Sequence, residues 1–358
     1  KNMGLPIGKL ICASNDNKVL YDLKNENEEN MEYILSIVTP IIIFPFFMLV
    51  TLVIQMIGAE INEEKSTRGM EIIIGKTSGF CHGVRNAVDN AKKEIEQSKE
   101  TVNCLGELVH NKHVTNSLKE KGLIFIENIE EAKGKTIIRA HGVTKETYKK
   151  AQKLGIELKD LTCPKVLKIH DIAEEYSKNG YYIFLVGEAN HPEIIGTFSF
   201  CGENSTIIEK ISDLEQSIEK INEKQVKKVL LIAQTTFNLR KFEEIAEKLK
   251  EELKAIELKI MNTICLATEL RQKETEELSQ KVDLMLIIGG RKSSNTNKLY
   301  EISSKNCKNV IFAENIDDID LNFVRQFEKI GVMAGASTPR ESIENIINFI
   351  KQEECKNA

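Results

Sequence analysis

From Met70 onward the chain alternates short apolar runs with longer charge-rich stretches in which apolar residues recur at helical spacing. EIII (Glu71–Ile74), TIIRA (Thr136–Ala140), YYIFLV (Tyr181–Val186) and VLLIA (Val229–Ala233) read as strands. LMLIIG (Leu284–Gly289), VIFA (Val310–Ala313) and GVMAG (Gly331–Gly335) continue the series. Continuous apolar runs of this length between helical patterns predict parallel strands covered on both faces, hence an α/β fold. Helices are predicted over Val84–Lys99, Lys145–Lys153, Lys165–Asn179, Arg240–Leu253, Ala267–Lys281 and Arg340–Gln352. Nearly every strand opens into a small, polar or His-bearing loop: His141-Gly142, EANHPE, Gln234-Thr235-Thr236, RKSSNTN and Ser337-Thr338-Pro339. Ligands of parallel sheets bind beyond the carboxyl ends of the strands, so these loops are where a site is expected.

The first 69 residues have a different pattern. Tyr33 to Ala59 carries no charged residue, and IIIFPFFMLVTLVIQMIG is apolar enough to cross a bilayer, with Pro40 and Pro45 as kinks. A membrane helix over 33–59 is the expectation, unrelated to the α/β part of the chain. With AEINEEKSTRGMEIII after it, this piece resembles the end of an ABC-2 type transporter permease. Lys1 stands where an initiator Met would, so the chain is read as beginning inside something longer. The string MEIII at Met70–Ile74 both closes that piece and opens the soluble part, which suggests two sequences joined there.

Charge and cysteine usage narrow the chemistry. The net charge of −5 comes from mixed acidic and basic residues without a basic block, which argues against nucleic acid as a partner. The eight cysteines are scattered, form no CxxC pair and come after no visible signal sequence, so they read as reduced and cytoplasmic. Any metal site must be assembled from distant segments. Cys81 in GKTSGFCHGV, Cys163 in KDLTCPKV and Cys265 in MNTICLATELRQ each sit in a turn before a predicted helix. Pro164 suits a first helical position, and a helix N-terminus favours the thiolate that binds metal. Taken singly, each cysteine is more often a small buried hydrophobe. Three in the same context point instead to a shared centre.

At this point the residues resemble the LytB/IspH family of 4-hydroxy-3-methylbut-2-enyl diphosphate reductases. The resemblance covers Met70 to about Gln352 through GFCHGV, LGELVHN, IRAHGV, DLTCP, GEANHPEIIGT, AQTTFN, TICLATELRQ, GGRKSSNTNKL and GASTPRESI. It implies three α/β lobes with parallel sheets around a central [4Fe–4S] cluster, divided here as 70–163, 164–262 and 263–358. Cys81, Cys163 and Cys265 are implied as the cluster ligands, leaving one iron free for substrate. His110, His141 and His191, with Thr235, Ser293, Ser294, Asn295 and Ser337, are implied to hold an allylic diphosphate. Glu193, with Thr235, is implied to deliver a proton. A low-potential donor such as ferredoxin or flavodoxin is implied as the electron source, and the membrane is involved only if 33–59 is a span.

Each of these residues has a plainer reading. A lone His is usually a hydrogen-bonded structural residue, SSN a loop or helix cap, and a loop Glu a solvated one. Leu266, after Cys265, departs from the polar Asn frequent in related sequences and puts the packing there in question. The rivals to an enzyme are a non-catalytic cluster-bearing sensor, a membrane-tethered fusion with impaired activity, and a transport fragment. A Ser/His hydrolase would need a G-x-S-x-G elbow, which is absent.

Overall fold

Runs of Ile, Leu and Val too short for helices become buried strands once amphipathic helices cover both faces of a sheet. In the computed structural model, residues 48–50, 52–53 and 70–355 are described. The expected membrane helix over 33–59 lies almost wholly outside them, and among the described residues no helix is long and apolar enough to cross a membrane. The chain divides into two units between Gly69 and Met70, and the α/β fold belongs to the second.

Among the described residues, twelve strands form three four-stranded sheets in which every pairing is parallel. In chain order they are β1 (Glu71–Ile74), β2 (Val102–Leu105), β3 (Ile124–Ile126), β4 (Lys135–Ile138), β5 (Leu158–Asp160) and β6 (Tyr182–Val186). Then come β7 (Ser205–Ile208), β8 (Lys228–Ala233), β9 (Glu257–Ile260), β10 (Leu284–Ile288), β11 (Val310–Ala313) and β12 (Lys329–Ala334). The α-helices from Met70 onward begin with α1 (His82–Gln97), α2 (Lys112–Glu120), α3 (Lys145–Leu154), α4 (Pro164–Lys178), α5 (Pro192–Phe198) and α6 (Asp213–Glu223). They continue with α7 (Leu239–Glu252), α8 (Leu266–Ser279), α9 (Ser294–Asn306), α10 (Leu321–Val324) and α11 (Arg340–Cys355).

The sheet orders are β3-β2-β4-β5, β7-β6-β8-β9 and β11-β10-β12-β1, which is one plan used three times. Two central strands are flanked by one edge strand that comes after the first of them and by another that ends the lobe. In the third lobe that last strand is β1, from the beginning of the unit: Ile73 pairs with Gly331 and Ile74 with Val332. The expected first lobe of 70–163 therefore opens with a strand that belongs to the third sheet. Sequence spacing hides this permutation, because β1 and β12 are joined only through space.

Apolar clusters fill both faces of the sheets. Phe184, Leu231, Phe242 and Leu249 anchor one face of the second sheet, and Ile183, Leu185, Leu230 and Ile194 the other. All of these are at most 2% exposed. At about 25 cal/mol per Å² such burial is the main force holding each lobe, and it fixes where the strand-end loops emerge.

Candidate active site

The three thiols occupy one structural position repeated in each lobe. Cys81, Cys163 and Cys265 come after the edge strands β1, β5 and β9, and each is the N-cap of the next helix. Cys81 Sγ accepts from Val84 N at 3.4 Å, as a capping oxygen would. Each cysteine N–H donates to a carbonyl in the loop after the neighbouring central strand: Cys81 to Ala336 (3.1 Å), Cys163 to Ala140 (3.0 Å) and Cys265 to Thr235 (3.0 Å). These bonds tie every thiol loop to a loop expected to bind substrate. Gly83, in the first turn of α1, has no room for a side chain, because a Cβ there would lie 2.7 Å from Cys163 Sγ. Burial pushes the Cys163 thiol up, and Cys81 and Cys265 close by push the same way.

Arg271, on α8 beside these thiols, is 3% exposed. Its Nε donates to Thr77 O and its Nη2 to Gly79 O, both at 2.8 Å, which clamps the loop leading to Cys81. Nη1 reaches Asn295 Oδ1 at 3.4 Å. No carboxylate among the described residues forms an ion pair with it; burial lowers its pKa, and Cys81 and Cys265 are the first counter-charges to oppose that. A buried cation without a carboxylate calls for another anion. Thiolates carrying an anionic metal centre would supply one, so the donor set fits such a group.

All twelve residues nominated from the sequence line a single cavity enclosing about 750 Å³, part of it open to solvent. In the same cavity lie His110 after β2, His141 after β4 and His191 after β6. Their ring centroids stand 4.5, 5.6 and 5.3 Å apart, and one nitrogen of each lies within 4.8 Å of the others, close enough to hold a metal ion. The hydrogen bonds favour an anion instead. His191 Nδ1 accepts from Glu193 N at 3.1 Å, which assigns its proton to Nε2 and makes that atom a donor. His110 Nδ1 lies 3.2 Å from Glu107 Oε2. Burial lowers all three imidazoles, His191 to about 4 and His141 well below its ordinary value, with neighbouring His and Arg139 adding repulsion. Neutral rings near the half-buried Arg139 guanidinium are poised for an arriving negative charge.

Ser293, Ser294 and Asn295 open α9, so a helix N-terminus faces this cavity. Ser293 caps it by accepting from Thr296 N at 3.3 Å. Asn295 Oδ1 accepts from Ala336 N at 3.0 Å, while its buried Nδ2 has no partner; His141 Nδ1 is likewise buried and unpaired. Unsatisfied buried polar groups are rare, and two around one cavity mark a ligand's place. Ser337 Oγ donates to His110 O at 3.3 Å. Gly290 lets the lobes close here, since a Cβ would fall 2.5 Å from His110 O.

Glu193, in the first turn of α5, is 2% exposed rather than solvated. Thr235 N and Oγ1 donate to its two carboxylate oxygens at 2.6 and 2.7 Å. Burial raises its pKa to about 7 against the opposing pull of those bonds, with Glu188 adding to the rise. It is thus a carboxyl that carries a proton near neutrality, paired with a hydroxyl in the same cavity.

Several site residues escaped sequence reasoning. Glu188 accepts from Ser294 Oγ at 2.8 Å and pairs with Lys298 at 3.0 Å. Burial pushes Glu188 up, but Lys298 and Ser294 outweigh it and hold the carboxyl low. Thr236 and Lys165 also line the cavity. Arg271 and Lys298 stand inside TELRQ and SSNTNKL, where the motif strings themselves were the available signal.

A three-lobed α/β protein that closes three thiols and an anion-binding cradle around one cavity defines a class of metal-capable enzymes acting on anionic substrates. The profile of the LytB protein family matches residues 72–351, and the chain belongs to that family. It is 42% identical over 287 residues to the 4-hydroxy-3-methylbut-2-enyl diphosphate reductase of Caldanaerobacter subterraneus subsp. tengcongensis, covering 79% of this chain and 97% of that one. The Aquifex aeolicus reductase of the same name is 36% identical over 291 residues, covering 80% and 98%. Among solved structures, the Plasmodium falciparum E-1-hydroxy-2-methyl-but-2-enyl-4-diphosphate reductase superposes with a TM-score of 0.73 at 29% identity, over 78% of this chain and 88% of that one. A second, (E)-4-hydroxy-3-methyl-but-2-enyl diphosphate reductase, described as the terminal enzyme of the non-mevalonate pathway, gives 0.58 at 36% identity over 79% and 99%.

Proposed function

We propose that this enzyme reductively removes the hydroxyl of (E)-4-hydroxy-3-methylbut-2-enyl diphosphate, yielding isopentenyl and dimethylallyl diphosphate, the last step of the methylerythritol phosphate route to isoprenoids. The observation that carries this reading is the meeting, in one cavity, of hydrogen-bonding His, Ser and Asn side chains, a buried carboxyl raised to about 7 and three thiols. The balance is R–OH + 2 e⁻ + 2 H⁺ → R–H + H₂O. Cys81, Cys163 and Cys265 would hold a [4Fe–4S] cluster, which when bound supplies single electrons and an iron lacking a thiolate ligand.

The chain's own residues do the rest. The diphosphate meets His191 Nε2–H, the unpaired Asn295 Nδ2 and His141 Nδ1, and the N-terminus of α9. His110, Ser293, Ser294 and Ser337 complete the cradle. When protonated on Oε2, Glu193 donates to Thr235 Oγ1, reversing the bond in which that hydroxyl donates to the carboxylate, and the hydroxyl proton so freed goes to the leaving hydroxyl. Water then departs in place of hydroxide, a far poorer leaving group. A second proton reaches the allyl fragment, and the carbon that receives it decides between the two products. A low-potential carrier such as ferredoxin or flavodoxin provides the electrons.

The test is anaerobic purification of the full chain with iron and sulfide counted, then addition of substrate and a low-potential reductant. Both isoprenoid diphosphates are expected; an iron-loaded protein that makes neither would overturn the reaction. A non-catalytic sensor would bind pyrophosphate without turnover in the same assay. The LytB match begins at residue 72, within the MEIII string, and gives no support to the permease likeness of residues 1–69, which rests on their sequence alone. Sequencing the locus across the codons for Glu64 to Phe80 tests for a join there, and an unbroken frame would exclude misassembly.

A further inference from the structure

Cys265 stands in a wall between two cavities. On its inner side is the active-site cavity; on its outer side is a groove of about 780 Å³ lined by Lys165, Lys168, Ile172, Met261 and Leu266, among others. No carboxylate lines this groove, and neither lysine forms an ion pair among the described residues. Glu269, one turn into α8, accepts from Asn262 Nδ2 at 2.6 Å at its rim. The N-termini of α4 and α8 add partial positive charge on the same side.

The surface beside the groove is apolar. Leu266 is 64% exposed and Leu270, one turn on, 50%. Scattered exposed leucines are ordinary; an i, i+4 pair beside a lysine groove that reaches a site cysteine marks an interface. This also resolves the departure at Leu266, which points to solvent and not into the cavity's packing. The sequence contains no G-x-G turn of the dinucleotide fingerprint, so the two electrons of the proposed reaction call for a separate carrier.

We propose that this outer groove against Cys265 is the docking site of a small acidic one-electron carrier protein. The inference rests on the reductase reading. The carrier gives up one electron per encounter and docks twice per turnover, and its oxidised form leaves each time. The chain's net charge of −5 repels acidic proteins in general, so a local cationic groove selects where they approach. Electron-transfer interfaces are small, and two exposed leucines beside a groove holding two lysines suit one.

The experiment uses the iron-loaded full chain, with an acidic flavodoxin and an acidic ferredoxin as separate probes. Binding is measured by calorimetry at several salt concentrations for wild type, Lys168→Glu, Leu266→Asp and the double variant. Turnover is driven either by the carrier or by reduced methyl viologen. Wild-type affinity for at least one carrier should fall as salt rises, each single variant should weaken binding about ten-fold, and the double about a hundred-fold. Viologen-driven turnover and iron content should stay at wild-type values. Wild-type affinity in the double variant, no binding of either carrier to wild type, or loss of iron along with binding would each overturn the docking site. Failure of wild type to form product with viologen overturns the reductase reading instead, because docking is read from the titration alone.

Discussion

Within each lobe the loops after the central strands and the loop after the terminal edge strand do different chemistry. Central loops carry hydrogen-bond groups: His110 and His141, Glu193 and Thr235, Ser294 and Ser337. Edge loops carry one thiol each, as a helix N-cap. A switch point between central strands opens a crevice for a ligand, whereas an edge strand delivers a single thiol to the cavity that the three lobes share. The cysteine N–H bonds to Ala336, Ala140 and Thr235 hold the two kinds of loop in register. In the proposed function, this plan divides the labour between loops that would hold a metal centre and loops that would hold a substrate.

Removing one edge thiol is the sharpest way to break this division. Cys163→Ser should lose bound iron and all turnover while the fold survives, because serine is a favoured N-cap residue at the position Cys163 holds before α4. Iron analysis and visible absorbance check it; full iron in the variant would separate the edge loops from the metal centre. Central-loop variants should do the reverse. Glu193→Gln keeps iron but cannot release a proton, and turnover should fall roughly 100- to 10,000-fold. Asn295→Asp preserves the Oδ1 acceptor used by Ala336 and Arg271 but replaces the unpaired Nδ2 donor with a negative oxygen. Inorganic pyrophosphate should then bind about 10- to 100-fold more weakly by calorimetry, with iron unchanged.

The same division explains what the sequence disclosed. Central strands such as YYIFLV and VLLIA are uniformly apolar because both faces are covered, and their ends were legible to within a residue or so. Edge strands β5 (LKD) and β9 (ELKI) face solvent on one side, so Lys, Glu and Asp interrupt them and they were missed. Strand β2 (VNCL) was missed for another reason: its Asn103 is buried and satisfied by Lys133 O at 2.7 Å, which period and polarity do not show. The site fared better than the strands, since its residues cluster in short motifs. Glu188 and Lys298 act across lobes, and Arg271 binds a loop 192 to 194 residues away in sequence, so only the assembled cavity reveals their partners.

A milder perturbation of the central loops is pH. Glu193 sits near 7 through burial, with Thr235 pulling the other way. Its proton-donating form prevails below that value and is lost above it. Turnover should therefore decline as pH rises through about 7, approaching roughly ten-fold per pH unit well above it. Thr235→Val removes the side-chain hydrogen bond that stabilises the carboxylate, so the falling limb should move to higher pH as well as starting lower in rate. A wild-type profile flat across neutrality would take Glu193 out of the proton path.

The smallest effect is expected at Ser294, although it neighbours Asn295 and lines the same cavity. Its hydroxyl donates to Glu188 Oε1 at 2.8 Å and accepts from Thr236 Oγ1 at 3.2 Å, so it is already satisfied. To serve a phosphate oxygen it must give up an ionised partner that Lys298 also holds, at 3.0 Å. One hydrogen bond is exchanged for another, and the net gain on binding is small. Ser294→Ala should weaken pyrophosphate binding only about two- to three-fold, well under the ~1 kcal/mol typical of a net hydrogen bond. Glu188 stays charged through Lys298 in that variant, so its repulsion of the diphosphate changes little. A loss as large as that of Asn295→Asp would mean that Ser294 turns from Glu188 to the ligand at little cost, placing it among the principal donors of the cradle.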